Sequence, residues 1–277
     1  MPQDHVVDLT PAACDCHFHV FAAHERVADV RYVPAYASSL DDWMLAARAC
    51  SVTRGVIVQP SFLGNNNARM LAAIAQQPSL LRGVAVVAPD VTGDELHALY
   101  AAGVRGVRLN LAGVSNDLAT LRDISPQWWS ALIDARLHLE LHTDVGRAAA
   151  LLPFVPRDIT VVLDHFAKPE KIAASDETVT AVRRRNAPGG ADTATFVTLS
   201  GAYRQSAANA THATDIASLW RDEIGVGRLL WGSDWPCTNH ESAAKYPALF
   251  NALSEWLPTA ADVRAVLSDN PTVVYWR

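Results

Sequence analysis

The sequence predicts an α/β protein whose whole length, residues 1–277, forms one (β/α)8 barrel domain. Three observations predict this fold class: eight short β-rich runs, intervening segments with helical periodicity, and a length that suits one barrel. Two smaller domains would also fit the length, and a doubly wound sheet would also alternate strands with helices. The doubly wound sheet is disfavoured because no glycine-rich phosphate loop follows the first run.

Each predicted strand is a short run of mostly aliphatic or β-branched residues, as expected for a parallel strand covered on both faces. In chain order the runs are Ala13–His19, Arg54–Gln59, Gly83–Ala88, Gly106–Asn110, Leu137–His142, Thr160–His165, Thr195–Ser200 and Leu229–Asp234. The segments predicted as helices repeat apolar residues every three or four positions. They are Asn65–Gln77, Asp94–Ala102, Pro126–Arg136, Lys168–Arg184, Ala208–Glu223 and Glu241–Trp256.

Composition and charge restrict the possible function classes. A formal net charge of −6 argues against nucleic acid or an anionic membrane as a partner, and no apolar stretch reaches the roughly 18 residues that span a bilayer. Residues 1–10 lack the basic start and apolar block of a signal peptide, so we expect a cytoplasmic protein. The cysteines, at positions 14, 16, 50 and 237, do not have the spacing of a disulfide scaffold or zinc knuckle. We expect a small-molecule substrate, and the sequence does not indicate an oligomeric state.

Two histidines stand at the end of the first predicted strand. Strand side chains alternate between faces, so His17 and His19 are expected on one side, with Cys16 on the other. Active sites of (β/α)8 enzymes lie at the carboxyl ends of the strands. The pair therefore predicts either two metal ligands or two acid–base groups at the barrel rim.

The sixth and eighth strands end in further titratable residues. Alternation places His165 on the side of Leu163 and away from Asp164. Asp234 ends the eighth run, and Gly232, two residues earlier, is expected to leave space for a ligand above the core. Three imidazoles and one carboxylate are therefore expected at the same rim, and Asp234 is the candidate catalytic carboxylate.

Cationic and amide side chains at the same strand ends predict a carboxylate-binding pocket. Arg108 and Asn110 share one face of the fourth strand, Arg204 follows the seventh, and Gln59 ends the second. The planar guanidinium group suits bidentate contact with a carboxylate, so guanidinium groups on the rim of an acidic protein indicate an anionic substrate.

The fifth strand carries three titratable residues on one face. His138 and Glu140 are expected to form a polar layer lower in the barrel. His142 lies at the carboxyl end, where both a role in the site and a structural role remain open.

These residues belong to motifs that resemble the amidohydrolase superfamily, and within it the amidohydrolase-2 branch, which includes 2-pyrone-4,6-dicarboxylate hydrolases and sugar lactonases. The matching segments run through most of the chain and appear in the family's order. They are Asp15–Phe21, Gln59–Phe62 with Gly64 and Asn66–Asn67, Gly103–Asn110, Asp164–His165, Leu199–Arg204, Trp231–Pro236 and Asn270–Pro271.

The resemblance implies a hydrolase that opens a carboxylate-bearing lactone. It implies that Asp234 activates water, and that three histidines polarise the carbonyl or, with Asp234, hold a divalent metal such as zinc: His17, His19 and His165. It also implies that the substrate carboxylate is held by Arg108, Arg204 and Tyr36, with Gln59, Asn110 and Lys168 completing the binding set. The branch contains metal-dependent and metal-independent members, so the cofactor is either none or one divalent metal.

Three departures from the family pattern bear on the substrate. Lys168 stands where an arginine follows the Asp-His pair, Cys237 stands where a histidine follows the proline, with His240 nearest, and no second arginine follows Asn110. A dicarboxylate clamped at both ends is therefore less well supported than lactone hydrolysis itself. A metal-dependent decarboxylase, a lactone isomerase and a binding protein without activity remain alternatives.

Overall fold

The computed structural model describes residues 12–27, 30, 32–187, 194–205, 212–242 and 245–277. Within these ranges eight parallel strands form one sheet in the order β1 to β8, which confirms the predicted (β/α)8 barrel. The strands are β1 (Ala13–Phe18), β2 (Val52–Val58), β3 (Leu81–Ala85), β4 (Val104–Asn110), β5 (His138–His142), β6 (Val161–Leu163), β7 (Thr195–Leu199) and β8 (Leu229–Trp231). Each overlaps its predicted run. Residues 1–10, on which the prediction about a signal peptide rests, lie outside the described ranges.

Helices follow most strands and cover the outer face of the barrel. They are α1 (Leu40–Arg48), α2 (Ala68–Gln76), α3 (Gly93–Ala101), α4 (Asp117–Arg122), α5 (Pro126–Asp134), α6 (Ala148–Leu151), α7 (Glu177–Arg185), α8 (Ala213–Ile224), α9 (Tyr246–Asn251), α10 (Leu253–Trp256), α11 (Ala260–Arg264) and α12 (Asn270–Tyr275). Helix α1 was not predicted, although Ser39 and Asp42 form a capping box at its start. Among the described residues, no helix has the length and apolar character needed to cross a bilayer.

Three of the six predicted helices begin at least five residues later than predicted or are divided in two. The helix predicted from Lys168 begins only at Glu177, because Asp176 caps it and Lys168 has a positive φ of 43°. The segment predicted as one helix over 241–256 is divided into α9 and α10. The helix predicted over 208–223 is observed from Ala213, and residues 208–211 lie outside the described ranges.

The amino-terminal half of the barrel interior is filled by apolar residues that we call the lower layer. Helix α12 closes this end of the barrel, because its last two residues pack among side chains from the surrounding strands. The lower layer consists of Cys14, Cys16, Val56, Val58, Val84, Val162, Ala194, Phe196, Leu230, Val274 and Tyr275. It forms a closed base beneath the carboxyl ends of the strands.

A bulge in β1 changes which side chains face the barrel interior. Two residues separate Asp15 from Phe18 on β1, whereas only one separates their pairing partners on β2. As a result, Cys16 lies in the lower layer while His17 also faces inward, so the prediction that these two face opposite sides was wrong. Asp15 and Phe18 face outward and contact Trp43, with Phe18 stacked on its ring at 4.0 Å.

Candidate active site

Contacts between the ends of β1 and β8 bring the two ends of the chain together. His19 N donates to Trp235 O at 2.8 Å, and Asp234 N donates to His17 O at 2.8 Å. A Cβ atom at Gly232 would lie 2.5 Å from His17 Cβ, so a glycine is required for this close approach. The prediction that Gly232 leaves room for a ligand was wrong, because His17 itself takes that space.

The ε nitrogens of three buried histidines converge on the Asp234 carboxylate. Nε2 of His19 lies 3.3 Å from Asp234 Oδ1, and Nε2 of His17 lies 3.7 Å from the same oxygen. Nε2 of His165 lies 4.0 Å from Asp234 Oδ2. The structure therefore places together the four residues that the sequence assigns to catalysis, and we call this set the upper cluster.

Each of the three rings has an oxygen beside its δ nitrogen. His19 Nδ1 lies 2.7 Å from a carbonyl oxygen, which can only accept, so His19 donates through Nδ1 and leaves a lone pair on Nε2. Burial lowers the pKa values of both His19 and His165, which keeps these rings neutral. The three oxygen partners are Val58 O for His19, Asp164 Oδ1 at 3.2 Å for His17 and Ser200 Oγ at 3.0 Å for His165.

This donor set fits a divalent metal ion. One ligand atom each from His17, His19 and Asp234 lie within 4.8 Å of one another, and His165 adjoins them. Imidazoles with an oxygen partner on the δ nitrogen and a free ε nitrogen are typical of zinc ligands, and a carboxylate completes such a set.

The two oxygens of Asp234 have different surroundings. Oδ2 accepts hydrogen bonds from Tyr203 Oη at 2.7 Å and from Arg204 Nε at 2.5 Å. Oδ1 is buried without a hydrogen-bond partner in the described ranges and faces the imidazoles. Burial alone would raise the pKa of Asp234, but the neighbouring Arg204 guanidinium holds it well below its usual range. Asp234 is therefore anionic, with one oxygen fixed and the other available.

Tyr203 is a site residue to which the sequence analysis gave no role. It lies in the family segment Leu199–Arg204, directly before Arg204, and that position was the available signal. Its ring also packs beside that of His240, with the ring centroids 5.1 Å apart. Tyr203 thus lies between Asp234 and His240, which is the histidine nearest to Cys237, the position where the family pattern has a histidine.

A left-handed turn directly after β6 aims His165 at the site. The residues His165 to Lys168 have φ angles of 52°, 58°, 54° and 43°, although none is a glycine. The turn is held by hydrogen bonds from Gln205 Nε2 to His165 O and from Trp220 Nε1 to Phe166 O, both at 2.8 Å. The turn therefore brings His165 inward after Leu163, which itself packs in the outer core, and the predicted alternation fails here.

Arg108 lies between two buried carboxylates beneath the pocket. Its Nη2 lies 2.8 Å from Asp164 Oδ2, and its Nε lies 3.2 Å from Glu140 Oε1. Asp164 also lies beside His17, so it faces the site together with His165, contrary to the alternation prediction. Burial and the neighbouring Asp164 raise the pKa of Glu140 to about 8. Glu140 and His138 are both buried in the barrel, as the sequence predicts.

A cavity of about 500 Å³ opens above the upper cluster. It contains three members of the predicted binding set: Arg108, Asn110 and Arg204. Its remaining lining is His19, Val30, Tyr32, Pro60, Ser61, Phe62, His142, His165, Asp234, Thr238 and Asn239. This volume and mixed polar lining suit a small polar ligand.

Three predicted binding residues bond instead to the protein. The Gln59 amide donates to two loop carbonyls, those of Gly64 and Asn66. Tyr36 donates to Glu241 at 2.9 Å, and the same carboxylate accepts from Tyr32. Lys168 Nζ lies 2.9 Å from His142 Nε2 and donates to Thr143 O at 3.0 Å. None of the three lies among the residues that line the described cavity.

Comparisons with known proteins identify the family of this chain. A family model described as Amidohydrolase matches residues 14–276. The 4-sulfomuconolactone hydrolase of Hydrogenophaga intermedia is 28% identical over 99% of this chain and 93% of its own length. The 2-pyrone-4,6-dicarboxylate hydrolase of Comamonas testosteroni is 27% identical over 97% of this chain and 91% of its own length. A solved structure from Acinetobacter baumannii, described as a probable 2-pyrone-4,6-dicarboxylic acid hydrolase with citric acid bound, has a TM-score of 0.83 and 30% identity, covering 96% of this chain and 99% of its own.

Proposed function

The chain belongs to the amidohydrolase family, and from this premise we propose that it is a hydrolase that opens a carboxylate-bearing lactone. The observation that carries the proposal is the convergence of three imidazole ε nitrogens on Asp234 at the floor of an open cavity. Two similar proteins named as lactone hydrolases align with nearly all of this chain, which supports a cyclic ester as the substrate.

Asp234 is the proposed acceptor of the proton from the attacking water. Its Oδ1 has no protein partner in the described ranges and faces the imidazoles, while Oδ2 is held by Tyr203 and Arg204. A fixed carboxylate that stays ionised at neutral pH can take a proton as the water attacks, and hydrogen-bond donors beside it can stabilise the charge that develops on the carbonyl oxygen.

The same four residues could hold a divalent metal ion. Its holders would be His17, His19, His165 and Asp234, and a bound zinc ion would polarise the lactone carbonyl and lower the pKa of a bound water. Whether or not a metal is bound, Asp164 orients His17 from its δ-nitrogen side, and the Val58 carbonyl does the same for His19.

Arg204 and Arg108 are the proposed partners of the substrate carboxylate. Both line the cavity. Arg108 retains N–H donors beyond those that bond to Asp164 and Gln59 O, and Arg204 retains donors beyond those that bond to Asp234 and Thr238. Asn110 adds an amide on the same wall. The similar structure from Acinetobacter baumannii contains bound citric acid, which supports a pocket that accepts carboxylates. We do not assign direct substrate contacts to Tyr36, Gln59 or Lys168.

A panel of lactones assayed in ¹⁸O-labelled water tests the reaction class. The panel should contain a pyrone dicarboxylate, a muconolactone and a sugar-acid lactone, each with and without a chelator. We expect one of them to give an open-chain acid that carries the label. Product without label would indicate an isomerase, and release of carbon dioxide from an aromatic acid by metal-loaded protein would indicate a decarboxylase.

The cellular setting is also part of the proposal. We propose that one domain over residues 1–277 acts in the cytoplasm on a small molecule, without nucleic acid or membrane partners, as the charge and composition suggest. Fractionation of the native host, with the protein detected by antibody, checks this.

A further inference from the structure

His142 lies in the cavity wall and Lys168 lies behind it, and the hydrolytic scheme above uses neither residue. Lys168 is 7% exposed, and its Nζ lies 2.9 Å from His142 Nε2. The same ammonium donates to Thr143 O at 3.0 Å. His142 lines the cavity, and its ring lies 4.7 Å from the ring of His165.

The contact with Lys168 determines which nitrogen of His142 carries the proton. An ammonium group has three donors and no acceptor, so His142 Nε2 must accept from it. The neutral ring then carries its proton on Nδ1. That atom is buried and has no hydrogen-bond partner in the described ranges. A buried N–H without a partner is costly unless a ligand supplies an acceptor.

The backbone is shaped to hold this arrangement. Lys168 is the last residue of the left-handed turn that begins at His165, and its carbonyl accepts from Gly146 N at 2.9 Å. Such conformations are unfavourable for residues other than glycine and persist where surrounding contacts enforce them. One strained turn therefore positions both His165 and Lys168.

A second neutral donor lies on the adjoining strand. Asn110 on β4 is the pairing partner of His142 on β5, and both line the cavity. The Asn110 Oδ1 atom accepts from Ala112 N at 3.3 Å, which leaves the amide nitrogen to donate. Two neutral donors side by side suit an oxygen atom of a ligand.

We propose that His142 is a substrate-binding residue whose Nδ1–H donates to an oxygen of the bound lactone, and that Lys168 is the positioning residue that fixes this tautomer. The inference deepens the proposed lactone hydrolysis and rests on it for the identity of the ligand. It also changes the role of Lys168, which acts through His142 instead of gripping the carboxylate.

The tautomer can be measured without any substrate. In ¹⁵N-labelled protein, two-dimensional NMR of the histidine rings at pH 7 should show His142 with a protonated Nδ1, assigned by comparison with His142→Phe. In Lys168→Met the protonated Nε2 form should appear, and in Lys168→Arg, whose side chain also only donates, the wild-type signal should remain. A wild-type ring protonated on Nε2 would overturn the inference while leaving lactone hydrolysis untouched.

The binding role of His142 is tested by steady-state kinetics with the lactone that the panel identifies. We expect His142→Phe to lower kcat/KM about tenfold or more, and His142→Asn, which keeps a donor near the δ position, to recover part of the loss. A rise in KM alone would indicate a contact with the substrate carboxylate, and a fall in kcat would indicate the carbonyl or the leaving oxygen.

A double-mutant cycle separates positioning from direct action. We expect Lys168→Met to reduce kcat/KM in the wild-type background and to have no further effect in the His142→Phe background. An equal loss in both backgrounds would show that Lys168 acts independently of His142 and would contradict the inference. Thermal unfolding of each variant identifies any loss caused by misfolding, and Lys168→Arg serves as the folded control.

Discussion

Two buried histidines inside the same barrel, His17 and His138, have opposite electrostatic surroundings. Burial disfavours the charge on His17, but Asp164, Glu140 and Asp234 together raise its pKa above the ordinary value. His138 contacts Tyr275 of the lower layer, and neither of its nitrogens has a partner in the described ranges. Burial, with the nearby Arg277, lowers the pKa of His138 to about 3.

This difference divides the barrel interior into two regions. In the upper region Arg204 pairs with Asp234 and Arg108 pairs with Asp164, and an open cavity lies above these ion pairs. The lower layer is apolar and closed by α12. Substitutions in the upper region should therefore change turnover with little effect on folding, whereas substitutions below should change stability with little effect on turnover.

The largest expected effect is on turnover in the upper region. Asp234→Asn should lower kcat/KM for the lactone by roughly 10² to 10⁴-fold, because an amide cannot take the proton from water. Unfolding and circular dichroism should remain close to wild type. Asp117→Asn is the matched control, since Asp117 pairs with Arg147 outside the cavity and should leave kcat/KM within about twofold.

The next effect is on stability in the lower region. Tyr275→Ala should reduce the free energy of unfolding by about 3 kcal/mol, because it removes a fully buried ring from the lower layer. Urea unfolding measures this change. Below the unfolding transition, activity per folded molecule should match wild type, and a large fall in kcat would show that the two regions are coupled.

The pKa of His138 predicts a change in the pH dependence of stability. Between about pH 6.5 and 3 the unfolded chain binds a proton at His138 that the native state does not, so this residue destabilises the fold as pH falls. Replacing it by leucine should recover about 2 kcal/mol of the stability lost between pH 7 and 5. Urea unfolding at the two pH values measures this, with the exposed His97→Gln as control. Identical slopes in wild type and His138→Leu would contradict the assignment.

The smallest expected effect concerns the orientation of the catalytic carboxylate. Tyr203→Phe removes one of the two side-chain donors to Asp234 Oδ2 and leaves Arg204 in place. We expect kcat/KM to fall about tenfold, the value of roughly one hydrogen bond to a charged group. Steady-state kinetics with the same lactone provide the measurement. A loss as large as that of Asp234→Asn would mean that Tyr203 takes part in the chemistry itself.

Much of the site could be predicted because residues at strand ends must meet in a barrel. His17 and His19 lie at the opposite end of the sequence from Asp234, and the closure of β1 onto β8 places Nε2 of both imidazoles within 3.7 Å of Asp234 Oδ1. The strands were predicted well for a related reason, since continuous aliphatic runs are distinctive of parallel sheets.

The remaining features depend on local conformations that the sequence pattern does not reveal. The bulge in β1 adds one residue, and this changes the faces of Cys16 and His17. The left-handed turn from His165 contains no glycine that would have signalled it. Tyr36 bonds to Glu241, 205 residues away, and such a tertiary contact leaves no trace in local periodicity.

A crystal structure of Asp234→Asn with the slow-reacting lactone tests the central claim most directly. The account predicts that the lactone carbonyl carbon lies within about 4 Å of the position 234 side chain and of His19 Nε2, the reach needed for attack by an intervening water. A lactone bound instead in the separate cavity beside Leu71, Val91 and Leu99, with the upper cluster empty of substrate, would contradict it.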